Sequence, residues 1–275
     1  MIEEIILSND QRGVASKAAT FLPCDFAQKA AKVLHDSVGT VAIATGFLVN
    51  GSPETDGPPG AIFLGRALNN IGFQVVYVAH PDCAMLLQKT LCFQAEVVPF
   101  PTGSVEAADT FSKQFLNDRK PKSVVSIECL GPNPLGQFLD MRGRDVSRDT
   151  SRIDRLFIQA RSMETPTIGV GDGGNEIGFG AIDGTHDLGL NDGHCVTHVD
   201  HLVVASVSNW GAYGLIAGLS KLSGISLLPS FADENSMVKK MVSLGAVDGF
   251  SGESILAVDG RPLSESESIL SQLSS

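Results

Sequence analysis

Short apolar runs rich in β-branched residues alternate along the chain with longer segments of helical spacing. Six runs are strand candidates: Thr40 to Phe47, Phe73 to Ala79, Ala95 to Pro99, Ser123 to Glu128, Thr167 to Gly171 and His201 to Ser206. Six helix candidates lie between and after them: Pro58 to Asn70, Asp82 to Phe93, Ser104 to Leu116, Ile153 to Met163, Trp210 to Leu222 and Glu234 to Leu244. Most runs are continuous rather than alternating, which is typical of strands covered on both faces. The sequence therefore predicts an α/β fold with three αβα layers around a mostly parallel, doubly wound sheet of about six or more strands.

The two ends of the chain also have helical spacing. Asp10 to Ala19 and Phe26 to Asp36 predict a helical lead-in that packs on the sheet. The end of the chain has apolar residues on one side from Leu263 onward, which predicts a final amphipathic helix. Since no stretch has the composition of a long linker, we expect residues 1–275 to form a single domain.

The balance of charge excludes several classes of partner. The sequence has 20 Lys and Arg residues against 31 Asp and Glu residues, which gives a net charge of −11. An acidic surface repels phosphate backbones and anionic lipids, so nucleic acid and membrane surfaces are not expected partners. The apolar runs are also too short to span a bilayer. Five scattered cysteines and an acidic start, Met1 to Glu4, predict a reduced cytoplasmic protein without a leader peptide.

A glycine-rich segment follows the fifth predicted strand and begins a helical pattern. Six of the twelve residues from Gly169 to Gly180 are glycine, and Asp172, Asn175 and Glu176 lie among them. Glycines let backbone N–H groups approach a ligand closely, whereas a simple turn needs only one or two. The spacing fits neither the Walker loop nor the dinucleotide-binding pattern, so no nucleotide cofactor is expected.

A second polar loop follows the first predicted strand. Two prolines, Pro58 and Pro59, open the helix after it, and Thr55 or Asp56 can cap that helix. The remaining free N–H groups at the helix start could bind an anion. The alternative is a capped turn with no ligand.

The ends of two further strands carry polar residues that could reach the same sheet edge. Glu128 ends a buried apolar run, so it lies in a ligand crevice or pairs with Arg142 or Arg144. Ser208 or Asn209 is a good cap for the helix after the last strand. Because ligands bind at the carboxyl ends of parallel strands, these loops predict one shared site.

A histidine-rich segment precedes the last predicted strand. It contains His186, Asp192, His194, Cys195, His198 and His201. Their spacing matches no zinc motif, and solvated loop histidines are the simpler interpretation.

Four of these motifs together resemble the C-terminal domain of the D-glutamate cyclase family. They are Thr45 to Phe47 with Glu54 to Ala61, Glu128 with Met141 and Arg142, Gly171 to Gly178, and Ser208 to Gly211. The resemblance extends from about Val41 to Leu219 and implies a hydro-lyase that closes D-glutamate to 5-oxo-D-proline. Animal members carry a further N-terminal domain and are mitochondrial; this sequence shows neither that domain nor a transit peptide, so the cytoplasm remains the expected location.

Cyclisation requires a base for the amine, an acid for the departing oxygen, donors for an oxyanion and a counterion for the substrate. We expect Glu128 and either Asp172 or Glu176 to divide the acid and base roles. Backbone N–H groups around Gly173 and Gly174 would meet the oxyanion, and the forked guanidinium of Arg142 would hold the α-carboxylate. The full predicted set of substrate-binding residues is Thr45, Gly46, Arg142, Gly173, Gly174, Asn175, Ser208 and Asn209.

A metal is the second hypothesis for this site. An acidic site repels an acidic substrate, so a local cation is needed. Glu54, Asp56 and Asp172 are the predicted ligands of Mg²⁺ or Mn²⁺, which prefer oxygen.

Two other functions use the same residues. A metal-dependent hydrolase of a small phosphorylated metabolite would need the same acids and glycine-rich loops. A non-catalytic module that binds an amino acid would use the acids to orient the ligand amine. If the protein is a cyclase, the expected partner is a small acidic amino acid. A homo-oligomer is compatible with the cyclase, the hydrolase and the binding module.

Overall fold

The computed structural model describes residues 1–191 and 193–275. In these residues the helices are α1 Ile2–Ile6, α2 Val14–Ala19, α3 Phe26–Asp36, α4 Pro58–Asn70, α5 Pro81–Thr90, α6 Val105–Arg119, α7 Asp154–Ser162, α8 Ser208–Ser223, α9 Phe231–Ser243 and α10 Leu263–Ser274. The strands are β1 Thr40–Thr45, β2 Leu48–Val49, β3 Ser52–Pro53, β4 Gln74–Ala79, β5 Glu96–Pro99, β6 Ser123–Ile127, β7 Thr167–Gly171, β8 His201–Val204, β9 Ala257–Val258 and β10 Arg261–Pro262. A short 3₁₀ turn covers Ser147–Asp149.

Six strands form one parallel central sheet in the order β5-β4-β1-β6-β7-β8. In its middle, Ile43 of β1 lies between Tyr77 of β4 and Val125 of β6. All three side chains are fully buried, as expected for continuous apolar strands. The order reverses direction after β5, which places the later crossover helices on the opposite face because parallel crossovers are right-handed. The predicted three-layer αβα fold is confirmed.

Helix α8 is largely buried. It packs against α3 and α4 in one layer, and α1 and α10 cover it, while α6 packs against α7. Close approach at two points requires glycine: a Cβ on Gly60 would clash with Ala212, and one on Gly218 would clash with Ala31. The start of α8 is thereby fixed at the carboxyl edge of the sheet.

Several predicted boundaries are wrong for identifiable reasons. The lead-in helix begins at Val14 rather than Asp10, because the Asp10 carboxylate accepts hydrogen bonds from the N–H groups of Gly13 and Ser16. The first strand ends at Thr45 because Gly46 has a φ of +75°. The first helix, Ile2–Ile6, has no counterpart among the predicted elements.

The glycine-rich segment does not begin a helix. From residue 172 to residue 180 the chain forms turns and isolated bridges instead. Gly174 and Gly178 have φ values of +93° and +124°, which a helix excludes. The prediction of helix in this segment is therefore wrong.

None of the helices in residues 1–191 and 193–275 is both long and apolar enough to cross a membrane.

Candidate functional site

Five buried carboxylates gather at the carboxyl edge of the sheet. They are Glu54 and Asp56 after β3, Glu128 after β6, and Asp172 and Glu176 after β7. Their exposed fractions lie between 1% and 6%. Strands β1, β6 and β7 are neighbours in the sheet, so these loops meet although the chain visits them far apart.

A cavity of about 320 Å³ opens against this group. Glu54, Glu128 and Glu176 lie on its wall together with three arginines, which are Arg12, Arg142 and Arg144. Its size is at the lower end of the range for small-molecule pockets. Of the other predicted substrate-binding residues that the structure describes, Asn175 also lines it, and Gly173 lines a neighbouring cavity.

Asp56 organises the backbone at this edge. Its carboxylate accepts hydrogen bonds from the N–H groups of Gly57, Ser208 and Asn209, at 2.9, 2.9 and 2.8 Å. Burial and the charge of Asp259 raise the pKa of Asp56 to about 7, although these three hydrogen bonds oppose the shift. Asp56 therefore connects the loop before α4 to the start of α8.

The start of α4 is capped from another helix. The Asn209 Oδ1 accepts hydrogen bonds from the N–H groups of Gly57 and Gly60, at 3.1 and 2.8 Å. Thr55, a predicted cap, instead donates its hydroxyl to the Ala257 carbonyl. The predicted anion site at this helix start is contradicted, because a side chain already occupies these donors.

Glu176 occupies the backbone donors of the glycine-rich segment. Its carboxylate accepts hydrogen bonds from the N–H groups of Gly173 and Gly174, both at 2.8 Å, and from that of Asp172 at 3.3 Å. The predicted use of Gly173 and Gly174 as oxyanion donors is therefore corrected: both N–H groups already bind a carboxylate. The Glu176 carboxylate thus holds the backbone of its own loop.

Glu128 sits in a strained backbone position and has a hydroxyl partner. Its φ is +54°, and the Ser208 hydroxyl donates to its Oε2 at 2.5 Å. Burial, and then the negative charges of Asp172 and Glu176, raise the pKa of Glu128 well above its usual value. Strain of this kind in a non-glycine residue is common at functional sites.

The expected ion pair between Glu128 and an arginine is absent from the described residues. Arg144 pairs with Asp140 at 2.6 Å, and Arg142 donates to the Phe250 carbonyl at 2.7 Å. Arg142 nevertheless lies on the cavity wall, where its remaining donors can face a ligand.

Arg12 is the cation in contact with the buried acids, and sequence reasoning missed it. Its Nη2 lies 2.5 Å from Asp172 Oδ1 and 3.0 Å from Asp259 Oδ2. Burial lowers the pKa of Arg12, but the charges of Asp172 and Asp259 outweigh this and raise it. Arg12 lies in the loop between α1 and α2, so no local pattern indicated the pairing.

Two further predicted substrate-binding residues lie deeper. Thr45 is fully buried, and its hydroxyl has no hydrogen-bond partner among the described residues. Gly46 lines a cavity of about 10 Å³ beside His80, too small for a substrate. The Asn175 side chain donates to the Leu139 carbonyl and so holds the cavity wall.

The carboxylates that could share an ion differ from the predicted set. In the described part of the chain, one oxygen each from Asp56, Glu128 and Asp172 lie within 4.8 Å of one another. Glu128 thus takes the place expected for Glu54, which lies on the cavity wall next to Gly249. The observed set differs because Glu128 directly follows β6, and β6 lies between β1 and β7 in the sheet.

The histidine-rich segment forms no comparable group in the described residues. The His194 ring meets the Ile182 carbonyl at 3.2 Å, and the His198 ring meets that of Val199 at 3.1 Å. Asp192 lies outside the described residues.

The chain is an α/β protein with a parallel sheet and an acid-lined cavity at the carboxyl edge of that sheet, where ligands bind in open parallel sheets. The chain belongs to the D-glutamate cyclase-like, C-terminal family, whose pattern it matches over residues 2–274.

The chain is also similar to a curated protein and, distantly, to solved structures. The chain is 30% identical over 265 residues to the mitochondrial D-glutamate cyclase of Homo sapiens, a match that covers 81% of this chain and 43% of that protein. The chain thus spans less than half the length of this relative. A structure titled MT0777 is 17% identical over 49% of the chain and 70% of its own length, with a TM-score of 0.30. The UDP-GlcNAc 2-epimerase of Methanocaldococcus jannaschii is 11% identical over 76% of the chain and 53% of its own length, with a TM-score of 0.36.

Proposed function

We propose that this protein is a D-glutamate cyclase-like hydro-lyase, which closes D-glutamate to 5-oxo-D-proline and releases water. Membership of the family and the similarity to the human enzyme support this proposal. The observation that carries it is the position of Glu128, which lines the cavity with an oxygen within 4.8 Å of Asp56 and Asp172. Glu128 on the cavity wall and Asp172 beside it offer two acids for a reaction with two proton transfers.

The reaction makes one bond and breaks one bond. The α-amine nitrogen attacks the carbon of the side-chain carboxyl group, and a C–N bond forms. A C–O bond then breaks, and the oxygen leaves as water with two protons, which balance the two protons that the substrate ammonium group gives up. The site must therefore remove a proton from the nitrogen and add a proton to the departing oxygen.

Glu128 is the proposed acid. Its raised pKa favours the protonated form, which can donate to the departing oxygen and does not repel the substrate carboxylate. The hydrogen bond from the Ser208 hydroxyl fixes the carboxyl orientation. Since Glu128 reaches the cavity wall, a substrate bound there can contact it.

Asp172 is the proposed base. Burial raises its pKa, but the adjacent Arg12 guanidinium opposes this shift. Glu128 has no ion-pair partner within the described residues, so within this coupled pair Glu128 keeps its proton more readily than Asp172. The two neighbours thus divide the roles through their different partners.

The arginines of the cavity supply the counterions. D-glutamate carries two carboxylates, and both Arg12 and Arg142 reach the cavity wall. A guanidinium fork binds a carboxylate through two parallel hydrogen bonds, and one such contact would fix the folded conformer. Because nucleophile and electrophile belong to one molecule, fixing that conformer removes much of the entropic barrier.

The test is to incubate the purified chain with D-glutamate or L-glutamate and to follow the lactam by mass spectrometry. We expect formation of the lactam from the D-isomer only. A ligand-induced thermal shift without any lactam would favour a binding module instead. Release of phosphate from small phosphorylated metabolites, without lactam formation, would favour a hydrolase.

A further inference from the structure

When ionised, the buried acids around Arg12 carry more negative charge than the described residues in contact with them neutralise. Arg12 forms ion pairs with Asp172 and Asp259, and Glu128 and Glu176 also lie within its electrostatic range. Glu54 in turn feels the charges of Asp56 and Asp172. These interactions connect six carboxyl groups, and the arginines whose charges act on members of the set are Arg12 and Arg261. The six are Glu54, Asp56, Glu128, Asp172, Glu176 and Asp259.

Hydrogen bonds compensate only part of this charge. Asp56 and Glu176 each accept three backbone hydrogen bonds. By contrast, Asp172 Oδ2 is buried without a hydrogen-bond partner in the described part of the chain. A buried acceptor without a partner costs about 1–3 kcal/mol, and a charged one costs more.

Glu54 is a second buried carboxylate with an unpaired oxygen. Its side chain is 4% exposed and lies on the cavity wall, and its Oε1 is buried without a partner among the described residues. It does not belong to the compact group of Asp56, Glu128 and Asp172, yet its charge acts on that group. A carboxylate in such a place is stabilised by an ion more than by water that the fold excludes.

The spacing of the compact group fits one metal ion. Carboxylate oxygens at 2.0–2.6 Å from a shared Mg²⁺ or Ca²⁺ lie at most about 4–5 Å apart. The oxygens of Asp56, Glu128 and Asp172 lie within 4.8 Å of one another. The donor set consists of oxygen alone, which suits hard divalent cations and does not suit zinc.

We propose that Asp56, Glu128 and Asp172 bind one hard divalent cation of the Mg²⁺ or Mn²⁺ class, with Glu54 as an additional negative charge beside it. The three ligands come from the loop before α4 and from the ends of β6 and β7, so the cation would join three segments of the sheet edge. Glu128 would present the ion to the cavity. A metal-bound Glu128 is ionised, whereas the proposed acid role requires its protonated form, so the ion-bound state differs from the state proposed for cyclisation.

The test uses Mn²⁺ alone and the full chain after chelation and desalting. Electron paramagnetic resonance of added Mn²⁺ counts bound ions, and thermal unfolding measures stabilisation. We expect one bound Mn²⁺ per chain and a rise in melting temperature that grows with Mn²⁺ concentration. Absence of binding by the wild-type chain at millimolar Mn²⁺ overturns the proposal.

Three substitutions separate ligation from general attraction. Asp172→Asn and Glu128→Gln are expected to weaken Mn²⁺ binding at least about tenfold, since each removes a charged ligand. Asp145→Asn removes one charge from the same cavity wall, outside the compact group, and should leave binding within about twofold. Equal weakening by all three variants would indicate adventitious surface binding and overturn the site. Circular dichroism shows whether each variant folds. If Asp172→Asn does not fold, Glu128→Gln still tests the site, because glutamine keeps an acceptor for the Ser208 hydroxyl.

The outcome is separable from that of the proposed function. Mn²⁺ binding by a chain that forms no lactam either with or without Mn²⁺ would support the metal site and refute the cyclase. Lactam formation by a chelated chain that binds no Mn²⁺ would do the reverse.

Discussion

The buried acids of the site fall into two groups that burial alone does not distinguish. Asp56 and Glu176 each accept three backbone hydrogen bonds and hold loops together. Glu54, Glu128 and Asp172 accept none from the backbone in the described residues, although they are equally buried. The fold thus fixes one group as part of its framework and leaves the other with unused lone pairs.

The difference also appears in the pKa values. Burial raises the pKa of Asp56 only to about 7, because backbone donors stabilise its charge. Burial raises the pKa values of Glu54 and Glu128 well above their usual range, and neighbouring negative charges add to this. Backbone donors, rather than depth, separate a structural acid from one available for protons or metal.

The largest expected effect follows from Glu128→Gln. If Glu128 donates a proton in the reaction, the turnover number should fall about 10²–10⁴-fold. The melting temperature should stay the same or rise, since the variant removes a buried ionisable group. Lactam formation measured beside thermal unfolding checks both; Asp145→Asn at the same cavity is the control. Full turnover by Glu128→Gln would refute the assignment.

The effect of burial on the pKa of an acid can also be tested away from the cavity, through the pH dependence of stability. Glu234 in α9 accepts a hydrogen bond from the Tyr213 hydroxyl, and burial raises its pKa to about 7. In the unfolded chain its pKa is about 4.3, so the folded state is penalised increasingly as pH rises from about 4 to 7.

Glu234→Gln should therefore remove a pH-dependent loss of stability of roughly 3 kcal/mol between about pH 4 and pH 8. Urea unfolding at several pH values measures this loss. The exposed Glu267→Gln serves as control. Parallel pH curves for wild type and Glu234→Gln would contradict the raised pKa.

Glu176→Gln tests one of the two acids, Asp56 and Glu176, that accept backbone hydrogen bonds. The amide nitrogen of glutamine cannot accept a hydrogen bond, so at least one N–H group of Gly173 or Gly174 loses its partner. We expect a loss of about 1–3 kcal/mol in unfolding free energy. Chemical denaturation measures it, and the exposed Glu253→Gln should change little. If Glu176→Gln kept its stability and lost only turnover, Glu176 would take part in the reaction, as proposed for Glu128 and Asp172.

Asn209→Ala gives the smallest expected effect, about 1–2 kcal/mol of stability, because it removes the cap of α4. Ser230→Ala is the matched variant, since Ser230 caps α9 at an exposed position. Asn209→Ala should cost more, because it leaves buried N–H groups unpaired. Equal losses in thermal unfolding would show that burial of the cap adds nothing.

Much of the fold was predictable because its signals are local. Continuous apolar runs and helical spacing set the six main strands, and the boundaries of α4 agree with the residues predicted, Pro58 to Asn70. The positions of Glu128 and Asp172 at strand ends placed both in one crevice before any contact was known.

The contacts within the site depend on chain segments that sequence patterns do not connect. Arg12 pairs with Asp172 from the far end of the chain, and Asn209 caps a helix to which it does not belong. The role of Glu176 had a local signal, since an acid two and three residues after Gly174 and Gly173 can reach their N–H groups. The glycine content suggested a ligand there, but the acid itself is the ligand of these donors.

The Asn209 cap also constrains when the site can form. Its hydrogen bonds to Gly57 and Gly60 span 152 and 149 residues of sequence. Contacts of such long range pay a large loop-closure entropy, so they form late in folding. A chain that ends before Ser208 contains all six strands of the central sheet but lacks α8, which completes the crevice. Affinity for ligands should therefore arise in the last step of folding, and a fragment that ends before Ser208 should bind neither substrate nor metal.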